Sequence, residues 1–222
     1  MPVSATASNH IKVALAKGQI DLSADDIKII LMRSGFTFDK DIHAQLKNVA
    51  GTLTAITYAI NSSKELTDSD SGFLAAGFVP GNQIAISGFT EGGNAVTKTI
   101  STVNATTIVF TNTTGLVEEI AGDSVTLQCV DELADGLGYS TGGEVLTTPT
   151  VVENDSDDRM DFTCDDAEWT ATGGDIGPTP GAILYDDTDA EKSIIGYLNF
   201  GGEKTAVDTA KLTVAGIKIR LT

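Results

Sequence analysis

The stretch from Ser71 to Gln128 has the residue pattern of a small β unit, and the sequences on both sides of it have the pattern of two halves of another domain. Runs of alternating apolar and polar residues lie at Ile84–Phe89, Thr97–Val103, Thr107–Phe110 and Val125–Gln128. Turns rich in glycine or asparagine separate these runs, which is typical of short antiparallel strands. The sequence therefore predicts a discontinuous domain of residues 1–70 and 129–222, with a small barrel-like β domain inserted at 71–128.

The flanking sequences consist mainly of short apolar runs bounded by turn-forming residues. Predicted strands lie at Ile20–Leu22, Ile27–Met32, Thr52–Ile60, Glu144–Val152, Met160–Cys164, around Trp169, and at Ala182–Tyr185, Ile194–Phe200, Leu212–Val214 and Ile217–Leu221. One short N-terminal helix is predicted, capped by Asn9 and ending near Lys17, whereas His43–Val49 fits either a helix or a strand. This pattern predicts an all-β fold with an antiparallel β-sandwich or jelly-roll-like domain.

The chain has a net charge of −17, and most of the acidity lies in its C-terminal part. Residues 129–222 hold 19 acidic and 6 basic side chains. Proteins bind phosphate backbones through Lys and Arg, so direct nucleic-acid binding is disfavoured. The acidity fits either solubility or a basic protein partner. No apolar stretch reaches the about 20 residues of a membrane span, and the N-terminus lacks the features of a signal peptide, which predicts folding in a cytoplasm.

One segment, Gly138–Gly142, matches the G-x-S-x-G pattern of a nucleophile elbow. That motif requires a strand before Ser140, a helix after it, and an acid and then a histidine downstream. A β-rich sequence follows the serine instead, and both His10 and His43 lie upstream of it. We therefore predict that these glycines form a turn with positive φ, and that the chain is not an enzyme.

Acidic clusters are the other candidate sites, because Ca²⁺ prefers several carboxylate and carbonyl oxygens on one loop. These clusters are Asp155, Asp157 and Asp158, and Asp186, Asp187 and Asp189. A third group, His43 with Asp39 and Asp41, is a candidate acid/base cluster or metal fragment. The first does not have the EF-hand spacing, and a single histidine is too few for a proton shuttle. Solvated turns and a loop hydrogen-bond network are therefore predicted, with no catalytic, cofactor-binding or metal site.

The aromatic residues and cysteines favour packing over chemistry. Trp169, Tyr185, Tyr197 and Phe200 lie in predicted strands, where core packing is favoured over a sugar-binding platform. The two cysteines, Cys129 and Cys164, lack metal-binding spacing and are too few for a disulfide framework. Two unpaired, partly buried thiols are therefore predicted.

Several blocks occur in order along the flanking sequences. They are Asp26–Leu31 with Phe36–His43, Asp131–Leu133, Gly138–Gly143, Asp165–Trp169, Ala182–Asp187 and Ile194–Gly201. In this order they resemble a family of tailed-bacteriophage virion structural proteins, over residues 20–50 and 130–222. The family pattern continues almost directly from Val49 to Asp131, so the intervening 71–128 unit, which is similar to small β modules of phage head and tail proteins, is a departure from it.

The resemblance implies a non-enzymatic virion component, and specifically a head decoration or cement protein that binds the major capsid protein or other virion proteins and copies of itself. A collar, neck or tail-associated protein is one alternative, and an adhesion module whose inserted unit binds a host glycan or receptor is another. The expected location is the virion, after assembly in the bacterial cytoplasm, with Met1–Ser8 as an arm that orders on assembly. Insertions succeed at exposed loop tips, so residues 71–128 are expected to project outward.

Overall fold

The computed structural model describes residues 4–222, and its regular structure is almost entirely antiparallel β. The strands are β1 (Ser4–Ala7), β2 (Ile27–Leu31), β3 (Thr52–Ala55), β4 (Tyr58–Ile60), β5 (Leu66–Asp68), β6 (Gln83–Ser87), β7 (Thr97–Val103), β8 (Thr107–Phe110), β9 (Val125–Cys129), β10 (Glu144–Val145), β11 (Thr150–Asn154), β12 (Arg159–Thr163), β13 (Ala167–Thr170), β14 (Ile176–Asp186), β15 (Ile194–Ala206), β16 (Lys211–Val214) and β17 (Lys218–Leu221). The α-helices are α1 (Asn9–Ala16) and the single turn α2 (Lys47–Ala50), and Gly92–Asn94 forms a short 3₁₀ helix. The all-β prediction is confirmed. No helix within residues 4–222 is long and apolar enough to cross a membrane.

The chain divides into two compact units. Unit 1 combines the N-terminal segment up to Leu46 with Glu132–Thr222, and unit 2 is Lys47–Asp131. Unit 1 is therefore built from two separate chain segments. The boundary expected at Ser71 lies inside unit 2, because residues 52–68 belong to its sheet: β3 pairs with β9, and β5 pairs with β8.

Unit 1 contains three antiparallel sheets that share one core. A five-stranded sheet has the order β1-β15-β14-β2-β10, a three-stranded sheet has the order β11-β12-β17, and β13 pairs with β16. Side chains from all three sheets meet in one apolar cluster, which includes Leu184, Phe162 and Trp169. Sheets that enclose a common core are the arrangement expected of a β-sandwich-like domain.

The centre of unit 1 is formed by its two longest strands, β14 and β15. Their segments 182–186 and 194–198 are buried at every position, as expected from unbroken apolar runs. One face contributes Leu184 and Leu198 to the core. On the other face the ring of Phe38 stacks on Tyr197, with ring centroids 5.4 Å apart. Both faces of the sheet are therefore covered, and its central strands are the best-buried part of the unit.

The N-terminal segment differs from the prediction in two respects. Ser8, rather than Asn9, caps α1, because the Ser8 side chain accepts a hydrogen bond from the backbone N–H of His10 at 3.2 Å. The arm expected to order on assembly is already ordered within the chain over β1, which pairs with β15 at the edge of the five-stranded sheet. The first three residues of that expected arm lie outside the described residues.

Three predicted strands also differ from those observed. The predicted strand Thr52–Ile60 is in fact β3 and β4, which lie at opposite ends of one sheet. Residues 20–22 are irregular, because the Asp21 and Asp25 carboxylates accept hydrogen bonds from local backbone N–H groups. Their side chains Ile20 and Leu22 are nevertheless buried in the core. The predicted strand Glu144–Val152 is in fact β10 and β11, which pair with β2 and β12 in different sheets.

Unit 2 is a seven-stranded antiparallel sheet with the order β3-β9-β6-β7-β8-β5-β4. Its core includes Leu127 of β9 and Tyr58 of β4, which lie near opposite ends of that order, and Leu53 of β3 packs against the same cluster. The sheet therefore curls around its own core. Such curling suits the expectation of a barrel-like domain.

The two ends of unit 2 are joined by the buried side chain of Asn82. Its Nδ2 donates to the carbonyl oxygen of Asn48 at 2.8 Å and to Oδ2 of Asp131 at 2.6 Å. Its Oδ1 accepts from the backbone N–H of Val79 at 2.7 Å. Because Asn48 and Asp131 lie at the start and the end of unit 2, one side chain brings its two ends together. Ends that lie close together are suited to insertion into another domain.

Candidate functional site

The Gly138–Gly142 segment forms a turn, and the surroundings that a nucleophile elbow requires are not found at Ser140. The serine is followed by a turn and then by β10, whereas an elbow requires a helix. His10 lies beside Ser193, with Nε2 and Oγ 3.3 Å apart, and the ring of His43 stacks on Phe38. The upstream position of both histidines in the sequence and the observed structure thus both indicate that this motif is a turn.

The glycines of this turn have a specific structural reason. Gly138 and Gly143 have φ values of +95° and +67°, which L residues with a side chain rarely adopt. A Cβ at Gly138 would lie 2.0 Å from the carbonyl oxygen of Thr170, and one at Gly143 would lie 1.9 Å from that of Ile29. The prediction of positive φ is confirmed, and close approach to two strands makes glycine necessary at both positions.

Tyr139 anchors this turn to β2 through a buried hydrogen-bond network. Its hydroxyl donates to Oε1 of Glu132 at 2.7 Å and accepts from the backbone N–H of Leu31 at 3.1 Å. The same Glu132 oxygen accepts from the N–H of Gly142 at 2.6 Å. Burial raises the pKa of both Glu132 and Tyr139. Each member of the network has a structural partner, so its role is to hold the turn in place.

The acidic turn at residues 154–158 lies at the surface, as predicted. Asp155 and Asp158 are exposed, while Asp157 forms an ion pair with Arg159 at 2.7 Å. The guanidinium of Arg159 also bonds Asp161 at 2.8 Å, and this bond is the main cause of the lowered pKa of Asp161. Within residues 4–222, no group of three or more His, Cys, Asp or Glu side chains could hold a metal ion.

The second acidic turn is only partly solvated: the prediction is wrong for Asp186, whereas Asp187 and Asp189 are half-buried. Asp186 is completely buried; its Oδ1 accepts two backbone N–H groups of the following turn, at 2.8 and 3.1 Å. Oδ2 has no hydrogen-bond partner among the described residues. Burial raises the pKa of Asp186 to about 6, and the neighbouring Asp25 carboxyl adds to the rise. Asp187 pairs with Lys28 at 2.8 Å. The turn is therefore packed against β2, which contains Lys28.

The cluster around His43 is a loop network, as predicted. Nδ1 of His43 accepts from the backbone N–H of Asp39 at 2.9 Å, and the backbone N–H of His43 donates to the Asp39 carbonyl at 3.0 Å. The carboxylate of Asp41 pairs instead with Lys40 at 2.9 Å. The rings of Phe38 and His43 stack with their centroids 5.4 Å apart. These contacts shape the loop that covers one face of the five-stranded sheet.

The remaining candidates are structural as well. The four aromatic side chains are all buried, which confirms their packing role: Trp169, Tyr185, Tyr197 and Phe200. Neither Cys129 nor Cys164 forms a disulfide within the described residues, as predicted. The Sγ of buried Cys129 donates to Oδ2 of Asp131 at 3.2 Å. Burial raises the pKa of Cys164 to about 12, which disfavours the reactive thiolate.

The most distinctive surface of unit 1 is the free edge of β11. This strand pairs with β12 alone, and its other edge has no strand partner in the part of the chain that the structure describes. Every residue of β11 except Asn154 is exposed, including Val151 (38%) and Val152 (52%). Exposed edge strands are sites at which further chains can pair.

Beside this edge lies a groove of about 650 Å³. Its apolar lining comes from Val151, Met160 and Leu221, and a second depression continues from Val151 and Met160 towards Leu15. The acidic side chains of the groove are Glu153, Asp155 and Asp158. We call the free edge of β11 and this groove together the β11 surface.

Sequence analysis missed the β11 surface. Predicting one continuous strand from Glu144 to Val152 concealed the change of sheet between β10 and β11, and only sheet topology reveals which edge stays unpaired. The available signal in the sequence was the pair of adjacent valines, Val151 and Val152, within a predicted strand. Comparison of the chain with protein-family models, with curated proteins and with solved structures finds no match.

Proposed function

We propose that this chain is a non-enzymatic structural protein of a tailed-phage virion, and specifically a head decoration or cement protein. The observation that supports the proposal most directly is how the sequence blocks of the resemblance meet in space. Ile29 of the first block pairs with Leu184 of a later block, and Gly143 packs against the Ile29 carbonyl. The Tyr185 hydroxyl donates to the carbonyl of Gly142 at 2.9 Å. Blocks that are far apart in sequence thus form one framework, as expected if they specify a common fold.

The proposed mechanism is passive binding between proteins. The protein would bind the outer surface of the major capsid protein and neighbouring copies of itself, and add contact area that opposes internal pressure. A stable interface of this kind buries roughly 1,200–2,000 Å², and many copies on one shell act together through multivalency. Exposed apolar side chains such as Val151 and Val152 in unit 1 are available for such contacts.

The number of copies per virion tests the proposal. Quantitative mass spectrometry of purified particles is expected to give hundreds of copies, which would indicate the head shell. A few to a dozen copies would instead indicate a collar, neck or tail-associated protein. Electron cryo-microscopy that finds the protein absent from the shell would contradict the decoration role.

A stabilisation assay tests the cement mechanism itself. Particles assembled without the protein are expected to release DNA at a lower temperature than complete particles. Adding purified protein back should restore the original temperature, because the contacts form on the outer surface. Unchanged heat resistance in particles that normally carry many copies would contradict the cement mechanism, although not the location on the head.

A receptor-binding role for unit 2 is the second candidate, and it is favoured by the exposed side chains Ile56 (62%) and Ile120 (85%). Their loops are adjacent, because the N–H of Gly122 donates to the carbonyl of Ile56 at 3.0 Å. The Glu119 carboxylate accepts from Asn94 Nδ2 at 2.7 Å and supports this tip. Saturable binding of the full chain to host cells that is lost in Ile120→Asp would support this role.

A further inference from the structure

We propose that the β11 surface binds an extended, basic segment of a partner protein, which pairs with β11 as a fourth strand of the β11-β12-β17 sheet. This inference rests on the proposed structural function, because it names the surface and the chemistry of a virion partner. Three independent features of the surface lead to it: its backbone, its apolar lining and its charge.

The backbone of β11 is open to a new strand. The strand pairs with β12 over five consecutive residues, from Thr150 with Thr163 to Asn154 with Arg159. One edge of β11 is thereby saturated, and the other faces solvent over the described residues. Proteins commonly protect such edges with charged side chains, Pro or a bulge; β11 contains no Lys or Pro, its register is unbroken, and its one charged side chain is Glu153. The edge is therefore suited to β-strand addition, in which main-chain hydrogen bonds supply affinity.

The apolar lining provides pockets for alternate side chains. Val151 lies opposite the core residue Phe162 in the register, and Glu153 lies opposite Met160, so both point to the groove side of the sheet. Val151 and Met160 line both depressions next to the edge. Successive side chains of a strand alternate between faces, so every second residue of an added strand would meet this apolar floor.

The charge of the groove determines the kind of partner. Three acidic side chains line it, Glu153, Asp155 and Asp158, against the single base Arg159. The guanidinium of Arg159 is already bound by Asp157 at 2.7 Å and Asp161 at 2.8 Å. Because Glu153 points to the same side of the sheet as the apolar floor, a segment whose groove-facing positions carry Lys or Arg as well as apolar side chains complements this rim.

A second copy of the chain fits the groove less well than a basic segment. Antiparallel pairing of β11 with itself, centred on Val152, would place Val151 opposite Glu153 and bring two sets of rim acids together. Like charges that meet across an interface are strongly unfavourable. The surface therefore favours a different, basic partner.

Peptide binding to the full chain tests the inference. The probe is a short peptide in which valine and lysine take turns at every second position, with threonine between them, so that both kinds of side chain face the groove. Calorimetry is expected to detect saturable binding that weakens in about 0.5 M salt. Val152→Lys should weaken binding at least about tenfold, because it places a charge of the same sign on the edge. Val207→Lys is the matched control, since it adds the same charge at another exposed valine (61%) and should leave the affinity unchanged. Thermal unfolding checks that both variants remain folded.

Two further measurements distinguish strand addition from other binding. The same peptide with every backbone nitrogen methylated keeps its charge and side chains but cannot donate backbone hydrogen bonds, and we expect it not to bind. Equal binding of the methylated peptide, or equal loss in both valine variants, would overturn the inference. Self-association that Val152→Lys abolishes would assign the surface to a second copy and also overturn it. Since no virion is used, failure here is distinguishable from a low copy number, which would contradict the proposed function.

Discussion

The two units of this protein are both antiparallel β structures, but they assemble from the chain in different ways. Unit 2 uses one continuous segment, 47–131, and Asn82 joins its ends. Unit 1 needs two distant segments, because β2 pairs with β14, with Ile29 opposite Leu184. Contacts between distant residues carry a larger loop-closure cost and slow folding. The comparison indicates that unit 2 can fold by itself, whereas unit 1 needs both ends of the chain.

The largest expected effect concerns the boundary of unit 2. The isolated segment 47–131 is expected to fold cooperatively, whereas 71–128 should remain unfolded. The shorter piece lacks β3, β4 and β5, and with them the buried core residues Tyr58, Ile60 and Leu66. Dispersion of amide signals in NMR spectra of the two fragments measures the difference. A folded 71–128 fragment would restore the boundary expected from the sequence.

The second prediction tests the hydrogen bonds of Asn82 that join the two ends of unit 2. Asn82→Ala is expected to lower the free energy of unfolding of unit 2 by about 3 kcal/mol, because it leaves buried acceptors on Asn48 and Asp131 without this donor. Native-state hydrogen exchange should show the loss in unit 2 and not in unit 1. Asn112→Ala, at an exposed loop residue of the same unit, is the control and should have little effect. Equal losses in both units would contradict their independence.

The third prediction is the matching test in unit 1. Tyr139→Phe keeps the ring against Trp169 but removes the hydroxyl that binds Glu132 and Leu31. We expect a loss of about 2 kcal/mol from the unsatisfied buried groups. Hydrogen exchange should locate the loss in unit 1, the reverse of the result for Asn82→Ala. An effect as small as that of an exposed substitution would show that the network does not support the turn.

The smallest expected effect is pH-dependent and concerns Asp186. Its pKa of about 6 in the folded state lies above the ordinary aspartate value of 3.8, so between these values the folded state holds a proton that the unfolded state has lost. The contribution of this carboxyl group to the free energy of unfolding therefore falls as pH rises from about 4 to 6. Relative to pH 4, Asp186→Asn should gain about 1 kcal/mol of unfolding free energy over the wild type by pH 5, and the gain should grow further towards pH 7.

Chemical denaturation across this pH range measures the effect of Asp186→Asn. Glu132 also has a raised pKa and contributes a slope of the same sign, so the difference between wild type and variant is the relevant quantity. Asp155→Asn, in the exposed acidic turn, is the control for removing one negative charge from the surface. A variant that is less stable at pH 7 than at pH 4, relative to wild type, would contradict the sign.

Much of the local structure could be predicted from the sequence. The strands β7 and β8 begin and end where the alternation of Thr97–Val103 and Thr107–Phe110 places them, because alternation and turn chemistry act over neighbouring residues. The glycine turn at 138–143 was predictable for the same reason. The cap of α1 was misplaced by one residue, since Ser8 and Asn9 are both good capping residues.

The two acidic turns show that the burial of a side chain in a turn could not be predicted from the sequence. The turns at 154–158 and 186–189 have similar composition, yet Asp157 stays at the surface and Asp186 is buried. The difference arises because the second turn packs beside residues that precede β2, where the N–H of Asp187 donates to the carbonyl of Asp26 at 2.9 Å. Burial of a carboxyl group depends on such distant neighbours, which local composition does not specify.

The sequence by itself determined that this is an all-β protein, where most of its strands lie, and that its glycine and acidic segments form turns. These properties follow from side-chain alternation and backbone preferences of adjacent residues. The tertiary structure decided that residues 52–68 belong to unit 2, that Asp186 is buried, and that β11 keeps a free edge. Those properties depend on which strands pair, and pairing is decided by contacts between residues far apart in the chain.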